Sequence, residues 1–347
     1  MEYVRYARLG KSGLEVSSIC LGMMSFGSAN WQPWVLPGTE AEGFVRSALD
    51  HGINFFDTAD FYSLGASEEA LGAAVAKLTD RRQVVLATKV GLPMASVGGG
   101  GPAPNDGGLS RKHIFQSVDR SLKRLGTDYI DLYQLHRADP NTPIEETVDA
   151  LRDLVRTGKV LYVGATNYAA WQFAKAVYDG RFRAGLDFAG VQVQYNMVYR
   201  EDARDLIPLC AAEGIGCIGY SPLARGWLAG NRRKGAALTE REGKRASADA
   251  KAHALYGTDA DTEALSALCS VAAERGVPPS RIAYAWILAH DFMSSVICGP
   301  LEADHLEDAV ASVDIELTAA ELDVLDACYA PRAVKDDAFG AVVGGKR

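Results

Sequence analysis

Four residues of this chain are of types that together can move a proton. Asp57, Tyr62, Lys89 and His136 each lie at, near or just past the end of a short apolar run. Such a position delivers an ionisable side chain to one face of a parallel β structure, where partial burial changes its acidity. A phenol with an ordinary pKa of about 10 is a poor acid near neutrality, and a cation beside it lowers the cost of releasing its proton. Lys89 is that cation. A lysine taken out of water tends to lose its charge, so an anion is needed to hold it protonated, and Asp57 fits. Asp57, Lys89 and Tyr62 therefore read as a proton-supplying unit. His136 stands across the same pocket, placed to orient a substrate oxygen by a hydrogen bond or to help Tyr62 pass its proton.

Side chains from such distant points meet only if the elements beneath them repeat. Eight β-branched or apolar runs, at 18–22, 54–57, 84–90, 129–136, 160–166, 190–194, 216–220 and 295–298, recur with amphipathic helical stretches between them. The alternation predicts parallel strands joined by crossover helices, and eight of them predict an α/β fold, a (β/α)8 TIM barrel. Helix starts are read at Thr39 before 40–51, Ser67 before 68–78, Ser110 before 111–125 and Pro143 before 144–157. Gly52, Gly126, Gly158, Gly214 and Gly276 stand where a glycine releases a helix into the next strand. Ahead of the first strand, 6–9 and 14–16 flank Gly10-Lys11-Ser12-Gly13, a hairpin signal predicted to cap the barrel bottom. Two stretches break the period, the Gly- and Pro-rich 91–108 and the charged 222–256. Both directly follow strands, and in a barrel such loops build the active face.

A chain of 347 residues matches either two ordinary domains or one large barrel. No linker divides it into halves with separate cores, so 1–347 reads as a single barrel domain. Hydrophobic residues at 48% and charged residues at 23% are ordinary globular values that permit a sizeable core. A formal charge of -8 speaks against nucleic acid as a partner, because phosphate binding needs clustered Lys and Arg. The one basic run, 232–234 with 241–245, reads as a solvated loop. No segment nears the roughly 20 apolar residues that span a bilayer. Met1-Glu2-Tyr3-Val4-Arg5 also lacks a signal peptide's apolar centre, which predicts a cytoplasmic protein with no membrane partner. Cys20, Cys210, Cys217, Cys269, Cys298 and Cys328 are scattered, with no Cys-x-x-Cys pair, and predict reduced thiols and no metal. Nothing in these residues specifies an oligomeric state.

The segment Gly52-Ile53-Asn54-Phe55-Phe56-Asp57-Thr58-Ala59-Asp60-Phe61-Tyr62, followed by Ser67-Glu68-Glu69 and Leu71-Gly72, strongly resembles the first signature of the aldo-keto reductases. Agreement continues at Ala87-Thr88-Lys89, Ser121-Leu122-Lys123-Arg124-Leu125-Gly126-Thr127-Asp128-Tyr129-Ile130-Asp131-Leu132, Leu135-His136-Arg137 and Gly164-Ala165-Thr166-Asn167. It extends through Gln192-Val193-Gln194-Tyr195-Asn196 and Tyr220-Ser221-Pro222-Leu223-Ala224-Arg225-Gly226, so that the resemblance covers almost the whole chain. Asn141-Thr142-Pro143-Ile144-Glu145-Glu146-Thr147 resembles the bacterial and potassium-channel-β-like branch rather than the aldose-reductase branch.

The resemblance implies an oxidoreductase that moves a hydride between a nicotinamide cofactor, NAD(P)(H), and a carbonyl or alcohol carbon of an aldehyde, ketone or sugar. It implies Tyr62 as general acid/base, tuned by Lys89 and Asp57, with His136 orienting the carbonyl. Asn167 and Gln192 would hydrogen-bond the nicotinamide carboxamide, Tyr220 would stack on its ring, and Ser221, Leu223 and Gly226 would line the pyrophosphate path. Gly22, Met24, Asp57, Thr166, Gly299, Glu302, His305 and Asp308 complete the implied cofactor-facing set. Trp31, Trp34, Phe61 and Trp227 are candidate apolar or sugar-stacking walls.

One stretch departs from the family. Members that prefer NADPH carry Ser or Thr followed by Lys or Arg just after the glycine near the eighth strand, whereas this chain reads Gly299-Pro300-Leu301-Glu302. Pro300 has no amide hydrogen and Leu301 no hydroxyl. Glu302 would repel a dianionic phosphate yet accept hydrogen bonds from a free ribose diol. NAD(H) is therefore the expected cofactor, with Arg137, Arg225, Arg232 and Arg233 the cations that a folded-over loop would bring to a phosphate. Two other readings stand beside the reductase: a cofactor-sensing regulatory subunit resembling the channel β subunits, and a non-redox barrel enzyme.

Overall fold

A computed structural model describes residues 4–94, 103–230 and 237–334. All eight expected strands form: β1 (Ile19–Gly22), β2 (Phe55–Asp57), β3 (Val85–Val90), β4 (Ile130–Leu135), β5 (Val160–Thr166), β6 (Phe188–Gln194), β7 (Gly216–Tyr220) and β8 (Met293–Cys298). Each pairs in parallel with its sequence neighbours and β8 returns to β1, closing the barrel. The helices are α1 (Ala41–Asp50), α2 (Ala66–Leu78), α3 (Arg111–Leu125), α4 (Ile144–Arg156), α5 (Ala170–Asp179), α6 (Leu206–Glu213), α7 (Glu240–Ala248), α8 (Ala250–Leu255), α9 (Asp259–Arg275), α10 (Pro279–Leu288), α11 (Ala303–Ala311) and α12 (Ala319–Ala327).

The two-residue period of a strand sorts the side chains. Cys20, Phe55, Val85, Ala87, Leu132 and Ile218 form an inner cluster with Leu9 and Val16 of the hairpin. Their alternates Leu21, Phe56, Leu86 and Tyr133 join the larger cluster that the helices cover. Continued by two residues, the inward parity of Phe55, Ala87 and Leu132 reaches Asp57, Lys89 and Gln134. The same chemistry of apolar strands thus both fills the barrel and lifts a polar layer onto its upper rim.

The hairpin forms from Tyr6–Arg8 and Glu15–Ser17 and caps the amino-terminal end of the barrel. Leu9 is fully buried there, and a Cβ at Gly216 would stand 2.6 Å from its side chain. The Lys11 amide donates to the Gly214 carbonyl at 2.8 Å, pinning the turn. Ser110 caps α3 by accepting from the His113 amide, and α4 begins directly after Pro143. Gly52, Gly126, Gly158, Gly214 and Gly276 all have left-handed φ, between 64° and 79°, just past helix ends, as expected of a residue without Cβ.

Three expectations about helices are corrected. Thr39 lies inside a 3-10 turn, Gly38–Glu40, and makes no cap for α1. Ser67 lies within α2, and its buried hydroxyl donates to the Met23 carbonyl at 2.7 Å while meeting the Thr58 hydroxyl at 2.9 Å. It ties α2 to the barrel instead of starting it; the helix follows the left-handed turn at Gly65, φ 98°. The described part of the basic run, 241–245, is not a solvated loop, since it lies in α7, and its Arg241 and Arg245 are engaged with carboxylates and with the Trp34 ring. Residues 95–102 of the Gly-rich stretch and 231–236 of the basic run, Arg232 and Arg233 among them, lie outside the described residues.

All six cysteines are free thiols, four of them buried. Among the described residues, no helix is long and apolar enough to cross a membrane, and no group of three His, Cys, Asp or Glu side chains could hold a metal ion.

The α2–α3 contact supplies a stability test. A Cβ on Gly72 of α2 would stand 2.5–2.7 Å from the Leu125 backbone, which has no flexible end to swing away. Glycine to alanine in a helix interior ordinarily stabilises by about 1 kcal/mol. Overpacking against backbone costs about 1–3 kcal/mol and should win. Gly72→Ala is expected to lower the chemical-denaturation midpoint; a raised midpoint would mean the two helices move apart freely.

Candidate active site

Asp57 ends β2, Lys89 is the penultimate residue of β3, and His136 follows β4, so three adjacent strands present them at one rim. Tyr62 follows from the β2–α2 connection. Behind it the chain makes left-handed turns at Ser63, Leu64 and Gly65 (φ 50°, 55° and 98°), which fold the phenol back over the rim. Ser63 is held by its hydroxyl, which accepts from the Ser28 amide at 3.1 Å.

The Lys89 ammonium donates to Asp57 Oδ2 at 2.6 Å, the Thr58 carbonyl at 2.8 Å and the Tyr62 hydroxyl at 3.3 Å. An ammonium has three protons, so all are committed. Tyr62 receives one of them, which leaves its own proton to point away from Lys89. Asp57 Oδ1 accepts from Gln134 and Gln192 side-chain amides. Three donors thus converge on Asp57, the pattern of a carboxylate. The His136 ring meets the Tyr62 ring edge-on, centroids 5.8 Å apart, and Trp31 lies 6.0 Å away on another side.

Burial sets the acidities. It works to lower the Lys89 pKa, but Asp57 and Tyr62 outweigh it and hold the pKa above the usual lysine value. For Tyr62, burial raises the phenol above its usual value; Lys89 is the largest opposing influence and does not overcome it. The expectation of a simply acidified phenol is corrected accordingly: the cation offsets a burial penalty. His136 is pushed well below the ordinary histidine value, by burial first and then by Lys89, Arg137 and Lys251. It is neutral at pH 7, and its buried Nδ1 has no partner among the described residues.

A cavity of about 670 Å³ runs from these four residues toward the amino end of α11. Gly22, Met24, Thr166, Asn167, Gln192, Tyr220, Ser221, Leu223, Gly226, Gly299, His305 and Asp308 all line it, as do Trp31, Trp34 and Phe61. Trp227 does not; its indole donates to the Asp261 carbonyl at 3.1 Å. Glu302 is also absent from the lining. It directly precedes α11, without a side-chain cap, and turns toward Arg241, 3.6 Å away, which also meets Glu40 at 2.9 Å and the Leu301 carbonyl at 3.0 Å. Asn167, left-handed at φ 56°, donates to the His136 carbonyl at 2.9 Å and accepts from the Tyr220 hydroxyl at 2.9 Å.

Several contributors escaped the sequence reading. Gln134 faces Asp57, and its place two residues before His136 in a strand was the available signal. Asp249, buried at the α7–α8 junction, clamps Arg225 at 2.7 Å over the cavity and carries no recognisable motif. Behind the rim, Glu68 is fully buried, accepts from Thr88 at 2.6 Å and pairs with Arg124 at 2.6 Å. Beside it, the buried Asp60 carboxyl is pushed up to about 8, by burial first and by Glu68 second.

With this geometry in hand, comparison with known proteins is unambiguous. The Aldo/keto reductase family model matches residues 18–330. The versiconal hemiacetal acetate reductase of Aspergillus parasiticus is 38% identical over 95% of this chain and 98% of its own length. A putative aryl-alcohol dehydrogenase of Schizosaccharomyces pombe is 35% identical, covering 96% and 97%. A probable voltage-gated potassium channel subunit beta of Arabidopsis thaliana is 36% identical, covering 90% and 92%. The barrel, the four residues at its rim and these matches agree: the chain belongs to the aldo/keto reductase family and is an oxidoreductase.

Proposed function

We propose that this oxidoreductase interconverts a carbonyl and an alcohol, with a dinucleotide in the 670 Å³ cavity and Tyr62 as the group that gives and takes the proton. The observation that carries this reading is the saturated Lys89 ammonium. Because Tyr62 accepts from it, the phenol's proton is aimed at the cavity. A nicotinamide held there by Asn167, Gln192 and Tyr220 would supply or take up the hydride at the substrate carbon. In reduction the substrate oxygen becomes negative as it gains electrons, and Tyr62 protonates it. Neutral His136 directs that oxygen by a hydrogen bond without adding a charge that would compete with Lys89. Asp57 keeps the ammonium in place throughout.

The lining suits a dinucleotide. The Thr166 and Ser25 hydroxyls border the cavity, buried and without partners among the described residues, as groups awaiting a polar ligand would be. Asn167 and Gln192 border the proposed nicotinamide end, and the Tyr220 ring offers it a flat wall. Ser221, Leu223 and Gly226 run along the pyrophosphate path. At the far end Glu242, Asp304 and Asp308 border the cavity, Asp308 in an ion pair with Arg281 at 2.8 Å and Glu242 3.3 Å from the His305 ring, and this acidic rim disfavours the additional ribose phosphate of NADP(H) and supports NAD(H). Repulsion at that end rests on these three carboxylates, not on Glu302. Near Tyr62, the walls Trp31, Phe61 and Leu92 favour a planar apolar carbonyl compound over a sugar, in keeping with the aryl-alcohol named for one relative.

Two measurements test this. Tyr62→Phe should lower kcat by about 10²- to 10⁴-fold, the usual worth of a general acid, while dinucleotide binding stays nearly intact. Equal loss of both would assign Tyr62 a structural role. With an aryl aldehyde as substrate, kcat/KM should favour NADH over NADPH by at least about tenfold, the factor that about 1.4 kcal/mol of repulsion gives. A preference for NADPH would contradict the cofactor assignment and leave the proton chemistry standing.

A further inference from the structure

Tyr256 closes the insertion after α8, and nothing in the proton chemistry uses it. Its ring is buried, and its hydroxyl accepts from the side-chain amides of Gln194 at 3.0 Å and Asn196 at 3.2 Å, both buried at and just beyond the end of β6. Each amide reaches on toward the cavity. The Tyr220 hydroxyl shares its one proton between Asn167 Oδ1 at 2.9 Å and Gln194 Oε1 at 3.2 Å, and Asn167 in turn donates to the His136 carbonyl. The second hydrogen of the Asn196 amide goes to the Ser221 carbonyl at 2.9 Å, and Asn196 Oδ1 accepts from the Val198 amide. Tyr220 and Ser221, where the cavity wall turns left-handed (Ser221 φ 55°), are thus each backed by an amide that donates to the Tyr256 hydroxyl, and the Asn196 amide is fixed as well by the Ser221 carbonyl and the Val198 amide.

The geometry assigns Tyr256 as a positioning residue for the nicotinamide half of the cofactor, acting through Gln194 and Tyr220. This rests on the reading above that the dinucleotide occupies the cavity with its nicotinamide against Tyr220. An amide can turn over when its acceptor disappears, and buried amide hydrogens left unpaired force such a search. Without the Tyr256 hydroxyl, Gln194 loses its reason to present Oε1 to Tyr220, and the Tyr220 ring and the Asn167 amide lose their common anchor. Asn196 keeps its bonds with the Ser221 carbonyl and the Val198 amide, so Ser221 and the pyrophosphate path stay as they are. Because Tyr256 belongs to the insertion, it also fastens the cover of the cavity to the catalytic rim.

The test compares two ligands on the full-length protein by calorimetry: the preferred reduced dinucleotide, and the matching ADP-ribose that lacks nicotinamide. Tyr256→Phe should weaken the dinucleotide by about tenfold, one hydrogen bond's worth of alignment, and leave ADP-ribose within about twofold. Gln194→Met breaks the same chain one link nearer Tyr220 and should give the same selective loss should Tyr256→Phe prove poorly folded. In a Tyr220→Phe background, Tyr256→Phe should add little. Equal weakening of both ligands, or no weakening of either by the two variants, overturns the assignment while leaving the dinucleotide reading intact. A wild-type chain that binds ADP-ribose no less tightly than the dinucleotide overturns it too, and one that binds neither ligand overturns both.

Discussion

The Asp57–Lys89 ion pair is the contact on which the rest of the site depends. Both side chains are almost fully removed from water, and at 2.6 Å they hold each other in the charged state. Either one alone would be a buried, unpartnered charge, and breaking such a pair costs about 3–5 kcal/mol. The molecule surrounds the pair with enough hydrogen bonds to make it tolerable. Gln134 and Gln192 satisfy the carboxylate, while Thr58 and Tyr62 satisfy the remaining ammonium protons. Catalytic orientation is a by-product of that satisfaction, because the third ammonium proton goes to the phenol.

Barrel closure makes this arrangement affordable in structural terms. Asp57, Lys89 and Gln134 come from consecutive strands, and β3–β4 register sets Lys89 beside Gln134. Inward parity fixes their direction, and the hydrophobic layer of Phe55, Ala87 and Leu132 beneath excludes water from below. The left-handed turn after Tyr62, backed by the Arg124 side chain against Gly65, brings the fourth partner over the top.

Much of this was legible in the residues. Strands buried on both faces are continuous apolar runs, so all eight stood out, and polar residues at their ends marked the rim. The helix glycines and the Ser110 cap were legible for a similar reason, since each is a local solution to a local backbone need. What could not be read depends on tertiary partners. Ser67 looks like a cap but bonds to the Met23 carbonyl, distant in sequence, and to the Thr58 hydroxyl just past the end of the neighbouring strand. Helix α7 buries no residue and gains its place through ion pairs, so no apolar period announced it. Glu302 sits where a charge near the cofactor was expected, yet its place at the start of α11 turns it to Arg241. Tyr256 and Asp249 carry no motif at all; only the folded insertion shows what they touch.

The central claim is that an ammonium offsets the burial of one phenol. Lys89 lowers the Tyr62 pKa more than Asp57 raises it, so removing the ammonium should drive the phenol upward even if Asp57 takes up a proton. The direct measurement is an NMR titration of ring-labelled tyrosine, with the Tyr62 signal assigned by its loss in Tyr62→Phe, in wild-type protein and in Lys89→Met. The account predicts that Tyr62 titrates above the ordinary phenol value of about 10 in the wild type and higher still, or not at all before unfolding, in Lys89→Met. An unchanged or lowered Tyr62 titration in Lys89→Met would contradict it.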